Sequence, residues 1–226
     1  MKGLTVIVPA KDEAKLLPAT LAGILQRPHV AHVLVVDDGS GDGTAELAEA
    51  GGALVLRRPV SKGKAAALMA GVEHALRLGA RGDSGLLLLD ADLGPSVEGI
   101  DPLLQVVVDG LADLAIATYV ARGSGGGKGR VVRLAQEAIR AQHGLETTTP
   151  LSGVRAMTWQ AWEAVTPLAP GWGVEAGMTL DALAAGLRVQ EIPTTMTHRA
   201  TGSDWRAVRH RGRQYLDVQR ALRARR

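Results

Sequence analysis

The feature that most constrains this chain is a fourfold alternation of short apolar runs with helix-spaced segments, the first, second and fourth runs leading into charged residues. Residues 4–8 form an apolar run ending at Pro9. Residues 12–25 then carry Leu16, Leu17, Leu21, Ile24 and Leu25 at helical spacing. A second run, 32–36, leads into Asp37-Asp38-Gly39-Ser40-Gly41-Asp42-Gly43, a loop by composition, and 44–50 reads as the next helix. Residues 53–57 give a third strand, 64–78 a helix rich in Ala and Leu, and 86–89 a fourth strand ending at Asp90-Ala91-Asp92. This alternation predicts an α/β fold with a mostly parallel central sheet flanked by helices. The polar residues at 11–13, 37–40 and 90–92 all follow strand ends, the edge at which open α/β sheets bind ligands.

Further on, the pattern predicts helices at 102–109, 131–143, 159–165 and 175–185, and strands at 114–118, 154–157 and 188–193. The glycine-rich 122–130 segment reads as a loop. A basic helix at about 205–223 closes the chain. No repeat or linker divides the sequence, so residues 1–226 are expected to form one domain.

The chain has no Cys, which excludes disulfides, thiolate zinc sites and cysteine nucleophiles together. Any metal must sit on oxygen and imidazole ligands, which suits Mg²⁺ or Mn²⁺. No apolar run approaches the ~20 residues that span a bilayer, and the first strand starts too early for a signal peptide. The expectation is a cytoplasmic protein. Its last 21 residues carry eight Arg, with Asp217 the only acid after Asp204, so peripheral contact with the inner membrane surface is open to it. No nucleic-acid partner is expected, and the reading leaves room for a homodimer.

Asp90 and Asp92, two residues apart in extended backbone, would point to one side. Two bare carboxylates repel a diphosphate, and a divalent cation between them reverses the sign. The bland alternative is an Asp pair that caps a helix or turn. Asp37–Ser40, alone, reads as a capping loop. Lys62 and Lys64 precede a helix, where cations oppose the helix dipole and so need another reason to be there. Strand one is not followed by G-x-G-x-x-G, and Lys128 in RGSGGGKGR lacks the Walker spacing, so neither a dinucleotide fold nor a P-loop is expected. A sugar-phosphate nucleotidyltransferase would carry a Gly-rich loop after strand one, which is absent.

Read together, VIVPAKDE (6–13), VVDDGSGDGT (35–44), SKGKAAAL (61–68), LLLLDADL (86–93), PLSGVRA (150–156), PGWGVEAGMTLDAL (170–183) and THRATG (197–202) resemble the GT-A glycosyltransferases. The resemblance is to family 2, including the glucosyl-3-phosphoglycerate and dolichyl-phosphate sugar synthases. It implies a nucleotide-sugar donor, UDP- in preference to GDP-, and Mg²⁺ or Mn²⁺. By the same resemblance Pro9, Ala10 and Glu13 line the nucleotide pocket. Asp38, with Gly39 beside it, holds the base, and Lys62 lies nearby. Asp90 meets the ribose or metal shell, Ala91 belongs to the nucleotide-sugar site, and Asp92 and His198 ligate the metal. Glu175 is the catalytic carboxylate, a general base in inverting relatives and a positioning group in retaining ones.

Lys128 and Arg130, with Trp172 and Arg199, are the acceptor-side candidates. The acceptor classes are a polyprenyl or lipid phosphate, a phosphorylated small acid such as phosphoglycerate, and a cell-envelope glycan. The absence of Q-x-x-R-W argues against a processive polysaccharide synthase. The rival readings are a non-catalytic binder of nucleotide-sugar or lipid head groups, and the nucleotidyltransferase.

Overall fold

The computed structural model describes residues 3–119, 129–197 and 205–225, with side chains in the last stretch from Gln214 on. Among the described residues seven strands build one sheet: β1 (Leu4–Ala10), β2 (Val30–Asp37), β3 (Leu54–Arg57), β4 (Gly85–Leu88), β5 (Leu114–Thr118), β6 (Arg155–Met157) and β7 (Val189–Pro193). Their order is β3-β2-β1-β4-β6-β5-β7. All pairs are parallel except those of β6, which runs antiparallel to β4 and β5.

The helices are α1 (Leu17–Ile24), α2 (Thr44–Ala50), α3 (Lys64–Arg77), α4 (Asp101–Val108), α5 (Arg130–His143), α6 (Trp159–Val165), α7 (Val174–Ala184) and α8 (Trp205–Arg223). Among the described residues, no helix is long and apolar enough to cross a membrane.

Strand alternation sorts the core. Val6, Val8, Val33, Val35, Leu87 and Leu89 pack on one face of the sheet, and Ile7, Leu34, Val36, Leu86 and Leu88 on the other. On the second face α3 lies so close that a Cβ at Gly71 would sit 2.7 Å from Ile7 and Val36 methyls. A third cluster joins α5, α7 and α8 through Ile139, Leu180, Val218 and Leu222. That explains β6: a parallel return would lay α5 across the sheet, whereas α5 packs on other helices and the chain comes back antiparallel.

Two expectations need correction. The first helix starts at Leu17 rather than at 12, because residues 12–14 are stitched to the loop after β2. Asp12, at φ 54°, donates its N–H to Ser40 Oγ (2.9 Å) and accepts from Gly41 N (2.9 Å). The N–H groups of Glu13 and Ala14 reach Thr44 Oγ1 (2.9 Å) and Asp42 Oδ2 (3.1 Å). A 3₁₀ segment at Gly94–Ile100, which the periodicity does not predict, follows β4.

Candidate active site at the sheet switch point

From β1 the strand order runs one way to β2 and β3, and β4 then pairs with the opposite edge of β1. The crevice opened beyond the carboxyl ends of β1 and β4 is where such a sheet receives a ligand. A cleft of about 380 Å³ lies there. Pro9, Ala10 and Glu13 line it from the end of β1, and Asp90, Ala91 and Asp92 from the end of β4. Asp38, Ser61, Gly63 and Lys64 close another side, and Trp172, 41% exposed, reaches it from the GWG turn before α7.

β4 ends at Leu88, and residues 91–92 lie in a turn, so extended-strand alternation is not what brings the two carboxylates together. Asp90 turns to Lys64, whose ammonium lies 2.8 Å from Asp90 Oδ1 and 3.0 Å from Glu175 Oε1. Burial disfavours this ammonium, but Asp90 and then Glu175 more than offset it and hold the group above the ordinary lysine range. Glu175, buried in the first turn of α7, therefore contacts the cleft through Lys64. Among the described residues no hydrogen bond or ion pair engages the Asp92 carboxylate, and no three His, Asp or Glu gather as a ready metal cage. His198, Arg199 and Lys128 lie outside the described residues.

Asp38 is almost wholly buried, and its oxygens are crowded with donors. Ser61 Oγ is at 2.7 Å, Gly63 N at 2.9 Å and Lys62 N at 3.2 Å from both oxygens, while Arg58 Nη1 is at 2.7 Å as an ion pair. Burial works to raise this carboxyl, but the Ser61 hydroxyl, the two backbone N–H groups and Arg58 hold it below the usual aspartate range. Lys62 meets Asp38 only through its backbone, and its side chain is exposed away from the cleft lining. Gly39 (φ 77°) packs against the Ser61 backbone and does not line the cleft. Arg130 is exposed at the start of α5 and does not line it either.

The wall behind Asp90 is the 147–155 segment. A Cβ on Gly153 would lie 2.4 Å from Lys64 Nζ and 2.6 Å from both Asp90 oxygens. Fully buried Arg155 fastens this turn by donating to Ser152 O (2.8 Å), Pro150 O (3.0 Å) and Thr179 Oγ1 (2.9 Å). Burial pulls its guanidinium down, to about 10, with Glu175 the leading opposing charge, so it stays protonated at neutral pH. Glu191 of β7 accepts from the N–H groups of Thr148 and Thr149 (both 2.8 Å), from Thr148 Oγ1 (2.6 Å) and from the Thr147 hydroxyl. Tyr119 bonds Ser152 (3.2 Å), and burial, reinforced by the charge of Asp90, pushes its phenol up to about 12.

Sequence reading missed Arg58, Ser61, Gly153, Arg155 and Glu191 as parts of this assembly, and gave Lys62 the place that Lys64 holds. For Lys64 a signal exists. It continues the buried stripe of α3 (Ala67, Leu68, Gly71, Val72, Ala75), where a charged residue demands a partner.

Similarity to known proteins agrees with this geometry. The glycosyltransferase AglJ of Haloferax volcanii is 32% identical over 205 residues, 88% of this chain but 64% of its own length, so this chain spans under two thirds of that relative. The polyprenol monophosphomannose synthase of Mycolicibacterium smegmatis is 33% identical over 211 residues, 87% of this chain and 78% of that protein. Among solved structures, glucosyl-3-phosphoglycerate synthase of Mycobacterium tuberculosis with Mn²⁺, UDP and glucosyl-3-phosphoglycerate superposes with a TM-score of 0.78 at 25% identity. The match covers 99% of this chain and 80% of that one, and it carries the mostly parallel, GT-A-type sheet. Residues 5–163 match Glycosyl transferase family 2, and the chain belongs to that family of sugar-transferring enzymes.

Proposed function

We propose that the cleft binds a nucleoside-diphosphate sugar, UDP- in preference to GDP-, and transfers its sugar to a phosphorylated acceptor. The observation that carries this reading is the meeting of Asp38, Lys64, Asp90 and Asp92 in one crevice at the switch point. The donor set suits a hard divalent cation: Lys64 already neutralises Asp90, which leaves Asp92 to offer oxygen to Mn²⁺ or Mg²⁺ beside the diphosphate. His198 is the proposed second protein ligand. Such a cation supplies charge stabilisation to the departing diphosphate. Lys64 adds a fixed positive charge on the same side, and Glu175 and Asp90 orient it. In this reading Glu175 acts by positioning Lys64, since its contact is the ammonium.

For the acceptor, the polyprenol monophosphomannose synthase favours a polyprenyl or lipid phosphate, and the arginine-rich sequence of residues 206–226 suits peripheral contact with anionic lipid. The structural match to the phosphoglycerate enzyme supports a small phosphorylated acid as the second reading. The test of the donor site is thermal unfolding with UDP, GDP, ADP and CMP, each with and without Mn²⁺. Ligand at 100 times its Kd stabilises by about 2.7 kcal/mol, a shift of several degrees for a chain this size. UDP with Mn²⁺ should raise the midpoint of the wild type and not of Asp92→Ala. No shift with any nucleotide would overturn the donor site and leave a binding module that shares the fold.

A further inference from the structure

One residue of α1 is at odds with the face it occupies. The buried stripe reads Leu17, Thr20, Leu21 and Ile24, and Thr20 is wholly inaccessible to solvent. A hydroxyl sealed among apolar side chains is costly unless it is bonded. The bland answer is a bond back along the helix to Leu16 O, which lies at 3.2 Å. That carbonyl already takes the Thr20 N–H (3.1 Å), and two shorter contacts lead off the helix. Thr20 Oγ1 donates to Ala91 O (2.9 Å) and accepts from Gly94 N (2.8 Å).

Those two bonds straddle Asp92. Gly94 holds its end of the turn at φ 56°, a conformation that glycine adopts readily. Ser96 Oγ, which meets Leu93 O at 2.8 Å and Thr197 O at 3.3 Å, belongs to the 3₁₀ segment that follows the turn. Thr20 instead ties the turn back to a different element, and that element is firmly seated. One helical turn on, a Cβ at Gly23 would lie 2.4 Å from Val97 Cγ1 of the same 3₁₀ segment. Asp92 lines the cleft, and among the described residues nothing bonds its carboxylate. Its aim is therefore set by the backbone of its turn, and one hydroxyl holds both ends of that backbone.

We propose that Thr20 is a positioning residue for the diphosphate–metal site: its hydroxyl clasps the 91–94 turn and fixes where Asp92 presents its oxygens to a divalent cation. The proposal rests on the donor site argued above and deepens it. Thr20 does not line the cleft and acts through Asp92. Without the hydroxyl, Ala91 O and Gly94 N lose their shared partner, and the turn is free to rotate its carboxylate. The walls of the cleft away from this turn keep their shape, so the loss falls on the metal-dependent part of nucleotide binding.

The test titrates UDP calorimetrically into wild type, Thr20→Val and Thr20→Ser, with and without Mn²⁺, at a temperature where each is folded. Thr20→Val keeps the branched shape and removes the hydroxyl. It should bind UDP alone as wild type does, while the Mn²⁺-dependent gain in affinity falls about tenfold or more, the usual effect of losing a group that orients a metal ligand. Paramagnetic resonance of Mn²⁺ in the presence of UDP should show the same loss as a larger free-ion signal. Thr20→Ser keeps the hydroxyl and should restore both. Should Thr20→Val fail to fold, Thr20→Cys carries the test, its thiol being a weak donor and acceptor; the Mn²⁺-dependent gain should fall there too. An unchanged gain in the folded variant, or an equal loss of UDP binding with and without metal, would overturn the positioning role while the donor site stands. A wild type that gains nothing from Mn²⁺ would take down the metal site itself, and the role of Thr20 with it.

Discussion

Lys64 shows how one residue can be legible by its position and opaque in its partners. A lysine on the buried stripe of α3 can be read from spacing. That its partners are Asp90 and Glu175 cannot, because they lie 26 and 111 positions away and only the folded sheet brings them near. Gly153 is the sharper case. Nothing in Ser-Gly-Val announces that a single carbon there would intrude on the Lys64–Asp90 pair. Gly153→Ala should therefore separate site from fold. The obstructing atoms are ends of flexible side chains, so the unfolding midpoint should move by no more than a few degrees, as for an ordinary mutation of about 1 kcal/mol. Nucleotide affinity and transfer rate should fall on the order of tenfold or more, because both groups must move away from the donor. A loss of fold with no change in affinity per folded molecule would contradict this. Strand-end acids, by contrast, were readable from the sequence: Asp38, Asp90 and Asp92 stand at the predicted edge and line the cleft.

At the scale of elements, the predicted runs agree with the structure to within a residue or two nearly everywhere, since two periodicities and turn residues decide them. The exceptions have physical causes. Tertiary hydrogen bonds from Ser40, Asp42 and Thr44 hold residues 12–14 out of α1. The direction of β6 depends on where α5 packs, which its own sequence does not state. α8 shows what an element can do for a site it does not line. Its Asp217 accepts from Trp172 N (3.4 Å), its Ala221 lies over Gly173, and beyond it Arg225 grips Asp181 of α7 at 2.7 Å with both Nε and Nη2. The GWG turn must be this bare, because a Cβ at Gly171 or Gly173 would fall within 2.5 Å of α8 atoms. Arg225→Ala should cost about 1–3 kcal/mol through the lost two-pronged bond. It should also increase proteolytic cutting in α8 at a midpoint lowered by several degrees. Unchanged cutting and an unchanged midpoint would mean that α8 is held by its apolar face alone.

For the molecule as a whole, β7 ties the far edge of the sheet to the wall of the cleft through the bonds of Glu191 to Thr147, Thr148 and Thr149. Burial works to raise this carboxyl, but the threonine hydroxyls and N–H groups prevail and hold it below the usual glutamate range. A depressed carboxyl stabilises the fold fully above its unfolded value of 4.5, and that stabilisation is lost as pH falls through the lower folded value. Glu191→Gln should then be less stable than wild type by about 1–3 kcal/mol at neutral pH. The gap should close as pH drops below 4.5. Urea midpoints of both proteins between pH 7 and pH 3 measure it, and a gap that does not narrow would show that shape rather than charge holds the threonine segment.

The ammonium of Lys64 bridges two halves of the chain, and that has a meaning in time as well as in space. Glu175 lies 85 positions beyond Asp90, so at cellular synthesis speeds it emerges roughly 4–17 s later. For that interval lysine and aspartate exist without their third member. The cluster of Lys64, Asp90 and Glu175 is thus a late product of translation, closed only once α7 has been made.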